Sequence, residues 1–393
     1  MRVAFLTNIV SPYRLPVFQR LAQTPDWDFR VMVNAMSEFD RSWAVSHNAC
    51  PVRKSKTWSL RRTVHSDVPV PFDQTITLHF PVGLWGDLRR FRPQVVISHE
   101  LGPRTMLAAA YCKAYGIPLV IWSYQSLVSA TQGSGLKQIV RRRLISQASC
   151  LIGMGGQARD VLRGWGASDE NIIDAPNTAD NETLIRRYAD AASKNAAQKL
   201  RWEFGKGRKI ATVIGRLVPL KGTAALLEQW SALPQSIRDQ WRLVFVGEGP
   251  LAKLVQDSED DSVYHAGQAD ATLMADWYQA SDLHIFPTLG DVWGLVVNEA
   301  MLCGTPTLCS VHAGCSTDMI HDGCNGFTYD PTVSDAASRL HAALTHPQLG
   351  RVGEQARRTA NQFTPDRLAH GFREAVNKVT RITEYEELIP AVA

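Results

Sequence analysis

Two cations stand five positions apart in a glycine-bounded segment near the middle of the chain. The segment reads Gly215-Arg216-Leu217-Val218-Pro219-Leu220-Lys221-Gly222. A predicted strand precedes it and a predicted helix follows it. Arg216 offers a planar fork of donors and Lys221 offers a point charge, and together they suit a diphosphate. The alternative is an ordinary surface loop, since exposed arginine and lysine are common.

Two carboxylates lie eight positions apart in the second half, on either side of a predicted helix start. At ~1.5 Å per residue, Asp291 and Glu299 are at most ~12 Å apart in helical geometry. They therefore cannot grip one atom, but they could hold the two ends of an elongated ligand. Between them, the backbone N–H groups of Gly294 and Leu295 would face a phosphate. The alternative makes Asp291 a helix cap and Glu299 a lone buried acid, which is costly without a partner.

Polar side chains also follow predicted strands in the first half of the chain. Arg14 comes shortly after the first strand, and His99 and Glu100 end a later one. Ligands of α/β proteins bind at the carboxyl ends of the strands, so we expect these residues to face a ligand. Arg14 could reach a phosphate or another anionic group. The alternatives are a solvated Arg14 in a proline turn and a purely structural His99–Glu100 pair.

Short apolar runs alternate with amphipathic stretches, which predicts parallel sheets covered by helices on both faces. First-half strands are predicted at residues 3–7, 29–33, 75–79, 95–98, 119–123 and 151–154, with helices at 103–115 and 136–146. Second-half strands are predicted at 209–214, 242–246, 263–266, 283–287 and 305–310, with helices at 223–230, 271–280 and 295–303. A polar, helix-prone segment at 181–204 separates the two series, and an amphipathic helix runs from 365 to about 388.

The predicted fold class is therefore α/β, with two Rossmann-like, doubly wound domains facing one another across a cleft. A length of 393 residues agrees with two domains. We expect the first domain at residues 1–185 and the second at 186–364. Residues 365–393 are expected to form a helical tail that crosses back to the first domain.

The charge of the chain is unevenly spread. The overall net charge of +4 does not demand a nucleic-acid partner. Residues 1–180 carry 21 basic and 13 acidic side chains, a net of +8, whereas residues 181–393 carry 21 and 25, a net of −4. A basic first half could attract an anionic partner or an anionic membrane surface, and a solvated surface is the alternative.

Neither a metal site nor a structural disulfide is indicated. The seven cysteines include no Cys-x-x-Cys pair, which favours a reduced, cytoplasmic protein without structural zinc. The spacing of His312, Asp318 and His321 fits no compact set of metal ligands.

Any contact with a membrane is expected to be peripheral. The apolar run at the start is too short for a signal peptide, and no segment approaches the ~20 apolar residues that span a bilayer. The tryptophans Trp43, Trp58 and Trp85 could stack on a sugar or a lipid, but burial is the favoured interpretation.

Several motifs of the second half occur together in a fixed order. They are Pro176-Asn177-Thr178-Ala179-Asp180, Gly215-Arg216 with Lys221-Gly222, Val246-Gly247-Glu248-Gly249-Pro250, Tyr278-Gln279-Ala280-Ser281-Asp282, Phe286-Pro287-Thr288, residues 291–301, Gly304-Thr305-Pro306 and Asn325-Gly326-Phe327. This set resembles the signature of glycosyltransferase family 4, the group 1 glycosyltransferases, whose members are retaining enzymes of the GT-B fold. The resemblance is specific over about residues 176–331 and looser elsewhere.

The resemblance implies a role for each of the residues singled out above. Arg216 and Lys221 match residues that hold the nucleotide diphosphate, and Glu299 matches the acid that bonds the ribose hydroxyls. Asp291 matches the acid that faces the donor sugar, and the amides near Gly294 would meet the distal phosphate. Further donor contacts are implied at Trp293, Leu295, Gly247, Glu248 and Gln268, the last three in loops around the nucleobase.

The chain departs from the family at two positions. The first acid is usually Glu, and Asp291 is one methylene shorter. Many members carry His after the strand that corresponds to residues 119–123, where this chain has Tyr124 and Gln125. With Arg14, His99 and Glu100, these two residues form the expected acceptor side. The donor phosphate can itself accept the acceptor's proton while Arg216 and Lys221 stabilise the leaving diphosphate.

The resemblance implies a retaining hexosyltransferase that moves a sugar from a nucleotide-diphosphate sugar to a glycan or a lipid-linked acceptor. No bound metal or other cofactor is expected. The first domain would bind the acceptor and the second the donor, in cell-surface polysaccharide biosynthesis at the inner face of the cell membrane. Two alternatives stay open: a catalytically silent sugar-nucleotide-binding protein, and a sugar-nucleotide epimerase of the same fold.

Overall fold

The computed structural model describes residues 1–37, 50–66, 71–125, 135–270 and 273–388. Trp43 and the first two residues of the helix predicted at 271–280 lie outside the described residues. The chain divides into two compact units. Unit 1 comprises Met1–Val64, Asp73–Asp180 and Pro365–Ala393, and unit 2 comprises His65–Phe72 and Asn181–Thr364.

The strands and α-helices of the described residues are numbered in chain order. The strands are β1 (Arg2–Thr7), β2 (Asp28–Val33), β3 (Val52–Lys54), β4 (Trp58–Ser66), β5 (Phe72–Phe80), β6 (Val95–His99), β7 (Leu119–Ser123), β8 (Cys150–Gly153), β9 (Ile172–Asp174), β10 (Lys209–Ile214), β11 (Trp241–Val246), β12 (Val263–Gly267), β13 (Leu283–Phe286), β14 (Thr307–Ser310) and β15 (Phe327–Tyr329). The helices are α1 (Leu15–Ala22), α2 (Leu84–Phe91), α3 (Pro103–Tyr115), α4 (Gly135–Gln147), α5 (Gly156–Gly164), α6 (Asn181–Ala189), α7 (Ala191–Leu200), α8 (Thr223–Ser231), α9 (Gln235–Arg238), α10 (Ala252–Gln256), α11 (Met274–Ala280), α12 (Leu295–Leu302), α13 (Ser316–Met319), α14 (Ala336–Leu344), α15 (Leu349–Ala360) and α16 (Pro365–Leu388).

Unit 1 is built on a parallel sheet, called sheet 1 here, with the strand order β3-β2-β1-β6-β7-β8-β9. Side chains of β1 alternate between its two faces. Ala4 and Leu6 belong to a core that includes residues of α2, α3 and α4. On the opposite face Phe5 packs edge-on against Phe18 of α1 at 4.8 Å and Phe372 of α16 at 5.3 Å. Helices therefore cover both faces of sheet 1.

Unit 2 repeats this plan on sheet 2, a parallel sheet with the strand order β12-β11-β10-β13-β14-β15. One face packs on α8 and α14 through Trp230 and Leu340. The other face packs on α11 and α12 through Tyr278 and Ala300. The predicted α/β class with two doubly wound, Rossmann-like parallel sheets is confirmed.

Each sheet contains one point at which the strand order reverses. In sheet 1 this point lies between β1 and β6, and in sheet 2 it lies between β10 and β13. The loops that follow the two neighbouring strands diverge there and leave a crevice at the carboxyl ends of the strands. Each unit therefore has its own crevice that suits a ligand.

One of the predicted strands was assigned to the wrong sheet. Residues 75–79 lie in β5, which pairs with β4 in a separate two-stranded sheet and takes no part in sheet 1. The short strands β3, β9 and β15 were not predicted, because three residues are too few to show a period.

Candidate functional site

Glycine backbones bring the loops of unit 2 together at the carboxyl edge of sheet 2. A Cβ at Gly247 would overlap the carbonyl group of Gly215, and a Cβ at Gly222 would overlap the carbonyl group of Pro287. The loops after β10, β11 and β13 therefore pack backbone against backbone. The Gly247 N–H also donates to the Gly267 carbonyl at 2.8 Å, which adds the loop after β12.

An ion pair joins the loops on the two sides of the crevice in unit 2. Lys221 follows β10, Asp291 follows β13, and the Lys221 Nζ donates to Asp291 Oδ2. The two side chains are 23% and 19% exposed, so the pair is open to a ligand. Asp291 Oδ1 also accepts the Trp293 N–H at 3.1 Å. Asp291 thus both stabilises the turn before α12 and holds a lysine.

The N-terminus of α12 points donors at the same crevice. Gly294 precedes the helix with φ 99°, and a Cβ there would lie 2.7 Å from Phe286 Cε1. The next amide bonded within this turn is that of Val297, which donates to the Gly294 carbonyl at 2.9 Å. In the part of the chain that the structure describes, the N–H groups of Gly294, Leu295 and Val296 have no acceptor. Three donors and the positive end of the helix dipole suit an anion.

Glu299 lies one turn further along α12 and has a partner on α11. Its carboxylate accepts a hydrogen bond from the Tyr278 hydroxyl at 2.9 Å. Burial raises the pKa of Glu299 to about 7, and the bond from Tyr278 opposes this rise. Glu299 therefore has a pKa close to neutral pH and one hydrogen-bond partner, Tyr278. It is not the lone buried acid of the alternative interpretation.

The remaining residues predicted to bind the donor divide into exposed and buried groups. Arg216, Glu248 and Gln268 are exposed in the loops after β10, β11 and β12. Trp293 is instead 1% exposed, and its Nε1 donates to Asn298 Oδ1 at 2.7 Å. The Trp293 ring is therefore a core residue that supports α12, and a donor contact of Trp293 through its backbone stays a prediction.

Unit 1 places a polar cluster at its own crevice, where the loops after β1 and β6 diverge. The Arg14 Nη1 lies 3.3 Å from His99 Nδ1, and the guanidinium stacks over Trp122 at 4.8 Å. The His99 ring lies between Trp122 and Tyr124, with centroids 4.4 and 4.5 Å away. The structure therefore brings together Arg14, His99 and Tyr124, as expected from their positions after parallel strands.

Burial decides which members of this cluster can meet a ligand. His99 is 2% exposed, and burial, with Arg14 and Arg104 nearby, holds its pKa well below the usual value. The imidazole is therefore neutral at pH 7 and shielded. Arg14 and Tyr124 are only partly buried, and Gln125, which follows Tyr124, is also partly buried.

Glu100 anchors the cluster through several donors. Its carboxylate accepts hydrogen bonds from the Asn8 Nδ2 at 3.0 Å and from the Tyr124 hydroxyl, and Arg104 lies 3.5 Å away. Glu100 has φ 74°, a conformation that is rare for residues other than glycine. Such strain persists only where the surroundings impose it and is frequent at functional sites. Asn8 and Arg104 were not predicted as site residues; Asn8 meets Glu100 and Arg104 only through the pairing of β1 with β6, which no local pattern shows.

The residues that the structure describes contain neither a candidate metal site nor a helix that could span a membrane. No group of three His, Cys, Asp or Glu side chains among them could hold a metal ion. The Nε2 atom of His312 lies 3.0 Å from Oδ1 of Asp330. None of the described helices combines the length and the apolar character needed to cross a bilayer.

Comparison with known proteins identifies the family. A model described as "Glycosyl transferase 4-like domain" matches residues 12–178, and one described as "Glycosyl transferases group 1" matches residues 208–346. The chain belongs to the family-4, group 1 glycosyltransferases. The predicted resemblance is thereby confirmed, and the two matches fall on sheet 1 and sheet 2.

Relatives of this glycosyltransferase include enzymes that are named for different substrates. A D-inositol 3-phosphate glycosyltransferase of Xylanimonas cellulosilytica is 26% identical over 57% of this chain and 55% of its own. A GDP-mannose-dependent alpha-mannosyltransferase of Corynebacterium glutamicum is 31% identical over 38% of this chain and 34% of its own. The chain spans about half the length of the first curated relatives it matches.

Solved structures establish the architecture of this glycosyltransferase. Alr3699/HepE of Anabaena, solved with UDP, has a TM-score of 0.73 at 18% identity and covers 96% of this chain and 100% of its own. The same protein was also solved with UDP-glucose. The fold is therefore of the predicted GT-B type.

Proposed function

We propose that this chain is a retaining hexosyltransferase that moves a sugar from a nucleotide-diphosphate sugar to a glycan or a lipid-linked acceptor. The observation that carries the proposal is the Lys221–Asp291 pair beside the unbonded amides at the start of α12. In this arrangement a lysine, a carboxylate and backbone donors without an acceptor come from the loops after β10 and β13. A diphosphate attached to a sugar has the matching order of charge and hydroxyl groups.

Donor binding exchanges the partners of Lys221. The diphosphate takes the ammonium group together with Arg216 and the amides of Gly294 and Leu295. Asp291 is then released to accept hydroxyl groups of the donor sugar. Because the lysine and the carboxylate are paired beforehand, neither charge is left unpaired in a half-buried loop.

The nucleoside occupies the edge of sheet 2 beyond the diphosphate. Glu299 accepts the ribose hydroxyls, and the loops at Gly247, Glu248 and Gln268 surround the base. A relative that depends on GDP-mannose and a structural neighbour solved with UDP and with UDP-glucose support a nucleotide-sugar donor. These nucleotides include both guanosine and uridine, so the proposal names a nucleotide-diphosphate sugar and no single base.

The transfer step relies on positive charge and needs no side-chain base. As the glycosidic bond to the diphosphate breaks, Arg216, Lys221 and the end of α12 stabilise the charge that develops on the leaving group. The acceptor oxygen bonds to the anomeric carbon on the face that the diphosphate leaves, and the departing phosphate accepts the proton of that hydroxyl, so the configuration is retained. The two cations supply the charge that a metal would otherwise supply.

Unit 1 binds the acceptor through Arg14, Tyr124 and Gln125, with His99 and Glu100 positioning them. The buried, neutral imidazole of His99 fixes the Arg14 guanidinium and carries no proton to the reaction. We place the enzyme at the inner face of the cell membrane, in cell-surface polysaccharide biosynthesis. The basic first half and the family support this setting.

Substitution of the two cations tests the proposal. A thermal-shift screen with uridine, guanosine and adenosine diphosphate sugars first identifies the donor. Arg216→Ala and Lys221→Ala should then each lower turnover by about 10²-fold. The exposed lysine of α10 provides the control Lys253→Ala, which should transfer sugar at the normal rate.

Each alternative has its own signature in this assay. Normal rates of transfer in both the Arg216→Ala and the Lys221→Ala variant would refute the proposed role of these cations in binding the diphosphate. Extracts of lipid-linked oligosaccharides supply acceptors in this assay. A protein that binds the donor there but neither transfers nor hydrolyses its sugar would favour the silent binding protein. A changed sugar nucleotide formed without any acceptor would indicate the epimerase.

A further inference from the structure

We propose that the outer surface of helices α2, α3 and α4 docks on an anionic lipid bilayer. The three helices share one face of sheet 1, where α2 packs on α3 and α3 packs on α4. The inference deepens the proposed function, because it rests on a lipid-linked acceptor as the reason for docking. Vesicle binding nevertheless tests it without any transfer reaction.

Large apolar side chains are exposed along all three helices. They define the α2–α4 surface: Trp85, Met106, Leu107, Tyr115, Leu136 and Ile139. Their exposed fractions run from 36% at Leu107 to 71% at Leu136. A soluble protein rarely leaves so many large apolar groups uncovered on neighbouring elements, and such a patch indicates an interaction surface.

Helix α3 carries apolar side chains both on its buried side and on its exposed side. Its inner side carries Ala108, Tyr111 and Cys112, which belong to the core. Its outer side carries Met106, Leu107 and Tyr115, together with exposed Ala110 and Ala114. A surface helix normally turns a polar face to water. Here the exposed side carries one cation, Lys113, and is otherwise apolar, which fits an environment that contains hydrocarbon.

The charge around this surface is one-sided. Residues 50–147 contain 14 lysine and arginine residues but only four aspartate and glutamate residues, and none of the four lies in 101–147. Asp87 of α2 is 8% exposed and is bound to Arg53 at 2.8 Å. The exposed charges of α3 and α4 are cations, including Lys113, Lys137 and Arg143. Cations among apolar and aromatic side chains are typical of segments that lie in the interface of an anionic membrane.

The same charge argues against a second copy of the chain as the occupant. In a symmetric dimer each copy would present the same patch, so the cations would face one another. An anionic bilayer instead offers both opposite charge and apolar depth. Leu136 and Ile139 lie three positions apart on α4, with Arg143 on the same side of the helix, so one turn can insert while the arginine meets headgroups.

Co-sedimentation of the full chain with vesicles tests the proposal. The wild type should bind vesicles that contain phosphatidylglycerol and should bind pure phosphatidylcholine weakly, with a loss of binding on added salt. The variant Leu136→Ser/Ile139→Ser and the variant Lys137→Glu/Arg143→Glu should each bind phosphatidylglycerol vesicles at least about tenfold more weakly. Because the substituted side chains are exposed, both variants should keep the melting temperature and the donor-induced thermal shift.

Unit 2 offers matched controls. Arg351→Glu/Arg358→Glu makes the same change in net charge on exposed residues of α15, and Trp202→Ala removes a tryptophan that is 83% exposed. Both should bind vesicles as the wild type does. Equal losses in these controls, or no binding by the wild type at low salt, would overturn the proposal.

Two further outcomes would assign the surface differently. Binding that depends on Trp58, which is 73% exposed on β4, but not on Leu136 and Ile139 would move docking away from these helices. A dimer in solution that the Leu136→Ser/Ile139→Ser variant dissociates would replace the membrane by a second copy. Wild-type docking without any sugar transfer would instead contradict the proposed function and leave this inference standing.

Discussion

Glu299 combines the proposed ribose-binding role with a raised pKa. Burial shifts its pKa from 4.5 to about 7, so the folded state holds a proton that the unfolded state has released between these values. Stability therefore falls as the pH rises from about 4.5 to 7, and the penalty is complete above 7. Ribose hydroxyls bind best to the ionised carboxylate. The pH range in which Glu299 suits ribose binding is therefore the range in which it makes the folded protein least stable.

Glu299→Gln should separate these two effects. Glutamine carries no charge and can still accept the Tyr278 hydroxyl, so we expect the variant to be more stable than the wild type at pH 8 by roughly 1–2 kcal/mol, allowing for partial exposure. Near pH 4.5 the two proteins should be equally stable. Nucleotide affinity at pH 8 should fall at least about tenfold. Denaturant unfolding and calorimetric titration at several pH values measure both quantities.

Tyr278→Phe is the matched control for this prediction. It removes the hydrogen bond that lowers the pKa of Glu299 but leaves a carboxyl at position 299, so the loss of stability should still begin near pH 4.5 and should extend to higher pH than in the wild type. If Glu299→Gln showed the wild-type pH dependence, another group would be responsible for it.

Asp291 should affect the sugar and the diphosphate in opposite directions. Asp291→Asn keeps an oxygen for the Trp293 N–H but releases Lys221 from its ion pair. We expect the affinity for a bare nucleoside diphosphate to stay the same or rise, and sugar transfer to fall about tenfold or more. Calorimetry with the diphosphate and kcat with the sugar nucleotide test the two halves. Equal losses in both measurements would mean that Asp291 acts mainly on the fold of the loop.

At the scale of elements, glycine contacts hold the loops of unit 2 in place. Gly215 and Gly247 have nearly the same φ, 145° and 146°, but only Gly247 has a backbone carbonyl where a Cβ would go. Alanine at either position therefore has the same conformational cost, that of a positive φ. Gly247→Ala alone forces the loops after β10 and β11 apart.

Gly247→Ala should accordingly cost ~2 kcal/mol more of unfolding free energy than Gly215→Ala. Chemical denaturation of the two variants measures the difference. Equal destabilisation would show that the loops can separate without cost, which would weaken the case for a rigid crevice.

Elements were more predictable from sequence than the contacts between them. The bounds of β7, β10 and α3 agree with the predicted ones, because each is a mainly apolar run between breaks in the apolar pattern, with glycine at the ends of β10 and α3. The Lys221–Asp291 pair joins residues 70 positions apart, and it depends on which strands become neighbours at the reversal of sheet 2. No local pattern contains that information.

The exposed side chains show the same limit at the scale of the surface. Burial was the favoured interpretation for Trp58 and Trp85, yet they are 73% and 38% exposed. Residue type gives only an average tendency to be buried, and a tryptophan is rarely buried completely. Trp85 lies on the α2–α4 surface for which we propose a lipid neighbour, whereas Trp58 lies on β4 of the two-stranded sheet, outside that surface.

At the scale of the whole molecule, unit 1 is assembled from segments that lie on both sides of unit 2 in the chain. Helix α16 supplies Phe372, which packs edge-on against Phe5 and against Trp122 at 5.1 Å. During synthesis, residues 181–364 must leave the ribosome before α16 does. The part of sheet 1 that Phe372 covers therefore stays exposed until α16 is made, while unit 2 already has its complete sequence. Unit 2 can accordingly fold before unit 1 is complete, with Trp122 lacking its Phe372 contact in the interval.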